Sequence, residues 1–183
     1  MATSSTSPIT KKAIIPRGRP DRIVQLTGSV TSESVLRVMH NLLSLGNDGG
    51  DPIMLYICSP GGSVAAGLAL LDVMQHVSAP VFTVAIGLTA SMAAILLIAG
   101  EPGYRYALPH TRILLHSIQG HTAGRMEEVE SAMQFHRECD REIEELLLVR
   151  TQIPRSRLRR LLRQERFLSA EQARKFGLID WIL

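Results

Sequence analysis

Three short segments of this chain hold side chains suited to acyl transfer. The first is Gly87-Leu88-Thr89-Ala90-Ser91-Met92-Ala93-Ala94, where one hydroxyl stands among small and apolar residues. Upstream, Pro80 to Ile86 is β-rich; downstream, Met92 to Ala99 is almost wholly apolar and ends at Gly100. Ser91 therefore falls at a strand-to-helix elbow, where the free N–H groups of a helix start can stabilise an anion. The second segment, Ser59-Pro60-Gly61-Gly62-Ser63, follows the apolar run Pro52 to Cys58. Its proline and glycines make a turn whose backbone N–H groups are unshielded and can be aimed at a developing oxyanion. The third, Leu108 to His116, closes a short strand on an imidazole able to serve a serine as general base. Each has a plainer alternative: a serine N-cap, an ordinary turn, one histidine among six. Taken one at a time, the residues leave both readings open.

The elements that must position these groups alternate along the chain. Arg22 to Leu26 reads as a strand, and Thr31 as the cap of a helix over Ser32 to Leu45 with Val35, Val38, Met39, Leu42 and Leu43 on one face. Strand Ile53 to Ile57, helix Val64 to Val77, strand Val81 to Ile86 and helix Ser91 to Ala99 follow. Nearly continuous apolar strands alternating with helices predict an α/β protein, a parallel sheet covered by helices. Residues 1–19 read as a tail and 20–183 as one domain. A long helix is expected from Met126 to Arg150, with Val129, Met133, His136, Ile143 and Leu147 along one stripe and Glu-rich elsewhere. That stripe needs cover, from its own domain or from another subunit.

Composition narrows the function classes. The chain has 183 residues, 45% hydrophobic and 20% charged, the profile of a globular protein with an aliphatic core. Two cysteines, Cys58 and Cys139, are too few for a disulfide framework and suggest a reducing compartment. No apolar run reaches the length of a membrane span, and Met1 to Ser7 lacks the apolar stretch of a secretion signal. The cytoplasm is the expectation, with an organelle stroma or matrix as the alternative because the start is Ser/Thr-rich and free of acid. Arg155, Arg157, Arg159, Arg160, Arg163 and Arg166 form a basic cluster, yet net charge is only +3 and no aromatic residues interleave them. They read as a solvated helix face with some subunit contacts to the Glu-rich helix, and no nucleic-acid or membrane partner is expected. His110, His121 and His136 lack metal-ligand spacing, so no metal or other cofactor is expected. Ser59-Pro60-Gly61-Gly62 lacks the Gly-Lys-Ser/Thr of a phosphate loop, so no ATPase is expected in this chain.

Together the segments resemble ClpP, the proteolytic subunit family of the Clp protease. The resemblance runs from about Arg22 to Leu183: Ser59 to Val64 with Ala66-Gly67-Leu68-Ala69, Gly87 to Met92, Tyr106-Ala107-Leu108-Pro109, Arg112-Ile113 with His116, Arg166 to Ala170, and Phe176 to Asp180. It implies a repeated strand–helix head of the β-β-α superhelical, ClpP/crotonase-like kind, with a protruding handle helix in a region of about 117–150. Carried over residue by residue, Ser91 matches the nucleophile and His116 the general base. The N–H groups of Gly62 and Met92 match the oxyanion hole, and the third triad position falls on Glu165. Gly120 and Gly124 match the strand along which an extended peptide substrate adds by backbone pairing. The implied activity is that of a serine endopeptidase cleaving unfolded polypeptides. The implied partners are stacked heptameric rings of this chain or a paralogue, and an AAA+ unfoldase.

Departures cluster around the site. Glu165 stands where the family usually has aspartate, and Gln164 where an arginine commonly bridges the rings. Ser117-Ile118 replaces Gln-Pro, Cys58 replaces asparagine, Met54 stands at a docking position that is commonly aromatic, and Tyr56 is kept at another. The axial loop and first helix before Arg22 read as abbreviated. A glutamate can do the work of the third member, accepting from imidazole Nδ1–H, although its extra methylene must be accommodated. Two other readings stand beside the peptidase: a ring-forming subunit, catalytically weak or silent, that supports an active paralogue, and a crotonase-type acyl-CoA enzyme on the same fold. The last would leave Ser91, His116 and Glu165 unexplained.

Overall fold

A computed structural model describes residues 19–46, 50–119 and 123–183; most of the expected N-terminal tail and Gly120 lie outside them. After a 3-10 turn at Pro20–Arg22, the elements run β1 (Ile23–Thr27), α1 (Ser32–Gly46), β2 (Ile53–Ser59), α2 (Val64–His76), β3 (Val81–Ala90) and α3 (Met92–Ile98). Then come β4 (Arg105–Ala107), β5 (Arg112–Leu114), α4 (Met126–Arg150), α5 (Arg155–Gln164), β6 (Phe167–Ser169), α6 (Ala170–Lys175) and β7 (Trp181–Ile182). The chain is mixed α/β, as the alternation predicts.

The sheet is parallel in the order β1-β2-β3-β4-β7, with β5 beside β3 and β6 antiparallel to β5. Period-2 alternation divides its faces. Val24, Leu26, Ile53, Leu55, Ile57, Val81 and Ala85 join the main core with the helices, whereas Met54, Phe82, Val84 and Tyr106 form a smaller cluster on the opposite face. Helices thus supply one large core, and the second face is closed only by half-buried residues such as Tyr56, Ile86 and Trp181. Thr31 caps α1 as expected, its Oγ1 accepting from the Ser34 N–H at 3.1 Å.

One departure from the sequence expectation builds the site. β3 does not stop at Ile86 but continues to Ala90. Its middle pairs with β4 through Thr83–Arg105, Val84–Tyr106 and Ala85–Ala107. Its end pairs with β5 instead, through Leu88–Arg112, Thr89–Ile113 and Ala90–Leu114. The change of partner occurs across Gly87, whose φ of 59° bends the strand where a side chain would resist. β2 shifts register over the same stretch, between Ile57 and Ser59.

The long helix has the expected bounds, but its stripe divides. Cys139, Ile143 and Leu147 are buried, the last two in the main core, while Met126, Met133 and Phe135 are 75%, 49% and 47% exposed. The C-terminal half is therefore anchored in its own chain, and the N-terminal half carries apolar side chains into solvent.

Candidate active site

Ser91 sits at the elbow between β3 and α3 with φ 56° and ψ −129°. Only Ser91 and Glu165 are non-glycine residues with positive φ among the described residues. Such a conformation costs on the order of 1–3 kcal/mol and persists only where neighbouring contacts enforce it. Here the Ser91 N–H donates to Leu114 O of β5 at 2.8 Å, and the Ser91 carbonyl accepts from the N–H groups of Ala94 and Ile95 at 2.9 and 3.2 Å. The backbone is pinned from both sides. Ser91 occupies the N-cap position, yet its side chain makes no capping hydrogen bond. The plainer reading of this serine requires that bond.

The Pro-Gly-Gly turn packs directly on the elbow. A Cβ on Gly61 would lie 2.6 Å from Ser91 Cβ, 2.7 Å from Ala90 O and 3.1 Å from the Met92 nitrogen. Gly61 also has φ 92°, so glycine is required twice over. Its N–H donates to the buried Ser59 Oγ at 3.0 Å, and its carbonyl accepts from the Val30 N–H at 2.9 Å. Gly62 pairs with Val30 in a bridge, Ser63 N–H donating to Val30 O at 2.8 Å. The N–H groups of Gly62 and Met92 have no acceptor among the described residues. Two unengaged donors thus flank Ser91. Nothing in the sequence around Val30 signals its part in holding this turn.

His116 lies two residues beyond the end of β5, alongside the elbow. Its Nδ1 is 2.7 Å from Ser117 O. A carbonyl can only accept, so this contact calls for the proton on Nδ1 and leaves Nε2 facing away from it. β5 and β6 pair as Arg112–Ser169, Ile113–Leu168 and Leu114–Phe167. Beyond β5 the pairing shifts: the Ser117 N–H donates to Leu162 O in α5 at 3.2 Å, which brings the segment of His116 to the helix that Glu165 caps. Glu165 caps α5 in the left-handed region, φ 45° and ψ 40°, and its carboxylate accepts from Gln119 Nε2. The Ser91 N–H bond to Leu114 O and the Ser117 N–H bond to Leu162 O tie the elbow and α5 to the same end of β5. The side-chain bonds Ser91–His116 and His116–Glu165 are not formed among the described residues; Ser117 O and Gln119 hold those groups instead.

Of the residues matched to substrate binding, Gly120 lies outside the described residues. Gly124, with φ 154°, immediately precedes α4, and a Cβ there would lie 2.5 Å from Glu128 Oε2. Residues 115–119 and 123–125 form no strand; the Ser117 N–H donates to Leu162 O at 3.2 Å and the Ile118 N–H to Asp140 Oδ1 at 3.0 Å instead. Glu128 accepts from the Arg125 guanidinium and backbone N–H, which hold its carboxyl below the usual carboxylate range. The arginine cluster also divides. Arg155 reaches Glu144 and Glu145 at 2.7 Å each, and Arg159 reaches Glu144 at 3.0 Å. These contacts to the Glu-rich helix lie within one chain.

The mixed α/β chain thus sets a strained serine elbow beside a glycine turn and a strand-end histidine. A family model described as Clp protease matches residues 10–183, and the chain belongs to that family. Membership implies a Clp-type peptidase that works as an oligomer with a Clp ATPase in general. No helix among the described residues is long and apolar enough to cross a membrane.

Proposed function

We propose that this chain is a serine endopeptidase subunit of a compartmentalised, ATP-dependent Clp protease. The observation that carries this reading is Ser91: a serine held at φ 56° with its hydroxyl free of any capping bond. Ser91 Oγ attacks the scissile carbonyl while His116 Nε2 takes its proton. The Gly62 and Met92 N–H groups receive the oxyanion, where a single donor is worth on the order of a hundredfold in rate. Glu165 stabilises the imidazolium as it forms. His116 then returns the proton to the leaving amine, and water releases the acyl group from Ser91. An extended, unfolded polypeptide lies along the segment holding Gly120 and Gly124, paired through its backbone. Stacked heptameric rings enclose these sites in the cytoplasm, and an AAA+ unfoldase feeds them. Cleavage of a fluorogenic peptide by the wild type, abolished in Ser91→Ala with ring size unchanged, tests the reading. Full turnover by the purified variant would end it.

A second reading has its own support. His116 is held by Ser117 O and Glu165 by Gln119, so a subunit in this state turns over slowly. It then contributes ring contacts to a more active paralogue. Peptide cleavage by the chain alone, against cleavage after mixing with such a paralogue, separates the two.

A further inference from the structure

Four of the five arginines of α5 fall into two sets with different surroundings. Arg155 and Arg159 project toward α4 and are satisfied by Glu144 and Glu145. Arg157 and Arg160 project the other way, into a cavity of about 530 Å³ between α5, β6 and α6 that Arg166 and Lys175 also line. No aspartate or glutamate lines this cavity, and none of the four cations bonds a carboxylate among the described residues. Four like charges around one hollow repel one another, an arrangement that a bound anion relieves. Its volume falls in the range of small-molecule sites. The buried Leu161 and Leu168 give it an apolar wall.

We propose that this cavity is a binding site for a compact, multiply charged phosphate compound. Arginine forks match phosphate oxygens in pairs, and lysine adds a point charge. The Arg157 guanidinium lies over the Phe176 ring, 4.7 Å from its centroid, which orients its fork before any ligand arrives. The same contact occupies one face of that ring, and no second aromatic side chain lines the cavity to stack a nucleic-acid base. Charge density favours phosphate over carboxylate, since one small polyphosphate brings enough negative charge to meet four cations at once. The site lies outside the Ser91 elbow, and its occupancy is read without any peptidase assay.

Calorimetric titration of the full-length protein with inorganic pyrophosphate and tripolyphosphate tests this. Tricarballylate serves as the carboxylate arm and a short single-stranded oligonucleotide as the nucleic-acid arm. The expected result is saturable pyrophosphate binding, weakened on the order of tenfold by Arg160→Ala and again by Arg166→Ala. Arg159→Ala, on the paired face, should leave it unchanged. Arg160→Gln provides a second variant that keeps side-chain bulk should the alanine variant fold poorly. Absence of saturable pyrophosphate binding would overturn the proposal. So would equal weakening by Arg159→Ala, or tighter binding of tricarballylate or the oligonucleotide than of pyrophosphate.

Discussion

Two residues in the left-handed region, Ser91 and Glu165, bracket the proposed chemistry. Ser91 owes its conformation to the bond from its N–H to Leu114 O and to Gly61 against its Cβ. Gly61→Ala would place a methyl group onto Ala90 O and Ser91 Cβ at a φ that alanine resists. It should lower stability by about 2 kcal/mol and lower peptide turnover further; thermal melts and kcat/KM measure the two. At Glu165 the expected series follows its role with the imidazolium. Glu165→Ala and Glu165→Gln should lower kcat far more than they change KM, while Glu165→Asp is tolerated. Gln119→Ala, which frees the carboxylate, should raise kcat in the wild-type background and do nothing in Glu165→Ala. An unchanged rate in Glu165→Ala would mean that Ser117 O alone orients the histidine, as a Ser–His dyad. The positions of Ser91 and His116 in the fold were legible in sequence because their surroundings are local: an elbow and a strand end. Gln119 and Val30 were not, because each acts on a residue far along the chain with no motif at either end.

At the element scale, β5 and the α4–α5 pair do the positioning. The helix bounds of α1 and α4 were readable from caps and periodicity, and the bend at Gly87 was not, because it depends on β3 changing partners from β4 to β5. The clasp between α4 and α5 rests on Glu144. Its carboxyl is held below the ordinary value of 4.5 by the hydrogen bond from Arg159, with Arg155 adding to it. The unfolded chain therefore takes up the proton first as pH falls. The clasp's contribution to stability is complete above the ordinary value and is lost as pH drops through the lower, folded one. The Tm of the wild type should fall in acid below about pH 4, and that of Glu144→Gln should start lower at neutral pH and fall less. Equal acid sensitivity in both would show that the clasp contributes nothing. The exposed N-terminal half of α4, with Met126, Met133 and Phe135, belongs to a different scale of contact, since no element among the described residues covers these side chains.

Across the whole molecule, Arg105 ties three distant parts together. Its guanidinium meets Asp180 at 2.7 and 2.9 Å and the Arg150 carbonyl at 2.8 Å, joining β4, the end of α4 and the approach to β7. Arg105 is buried, so Arg105→Ala should cost about 3 kcal/mol by leaving Asp180 without its partner. Chemical denaturation measures this, and a loss within error of zero would contradict the assignment. Composition and alternation made the α/β class readable, but how chains assemble depends on surfaces that a single chain leaves open. Peptide cleavage by the isolated protein should be slow beside that of a mixture with a paralogue, given Glu165, Gln164 and the bonds that hold His116 and Glu165 apart. The central claim, that Ser91 is a nucleophile, has a direct chemical test that does not require fast turnover. A fluorophosphonate probe applied to the assembled protein, followed by peptide mapping, should modify Ser91 and no other serine, and His116→Ala should suppress the labelling. An assembled, folded protein in which Ser91 stays unmodified, or is modified equally in His116→Ala, would contradict the account.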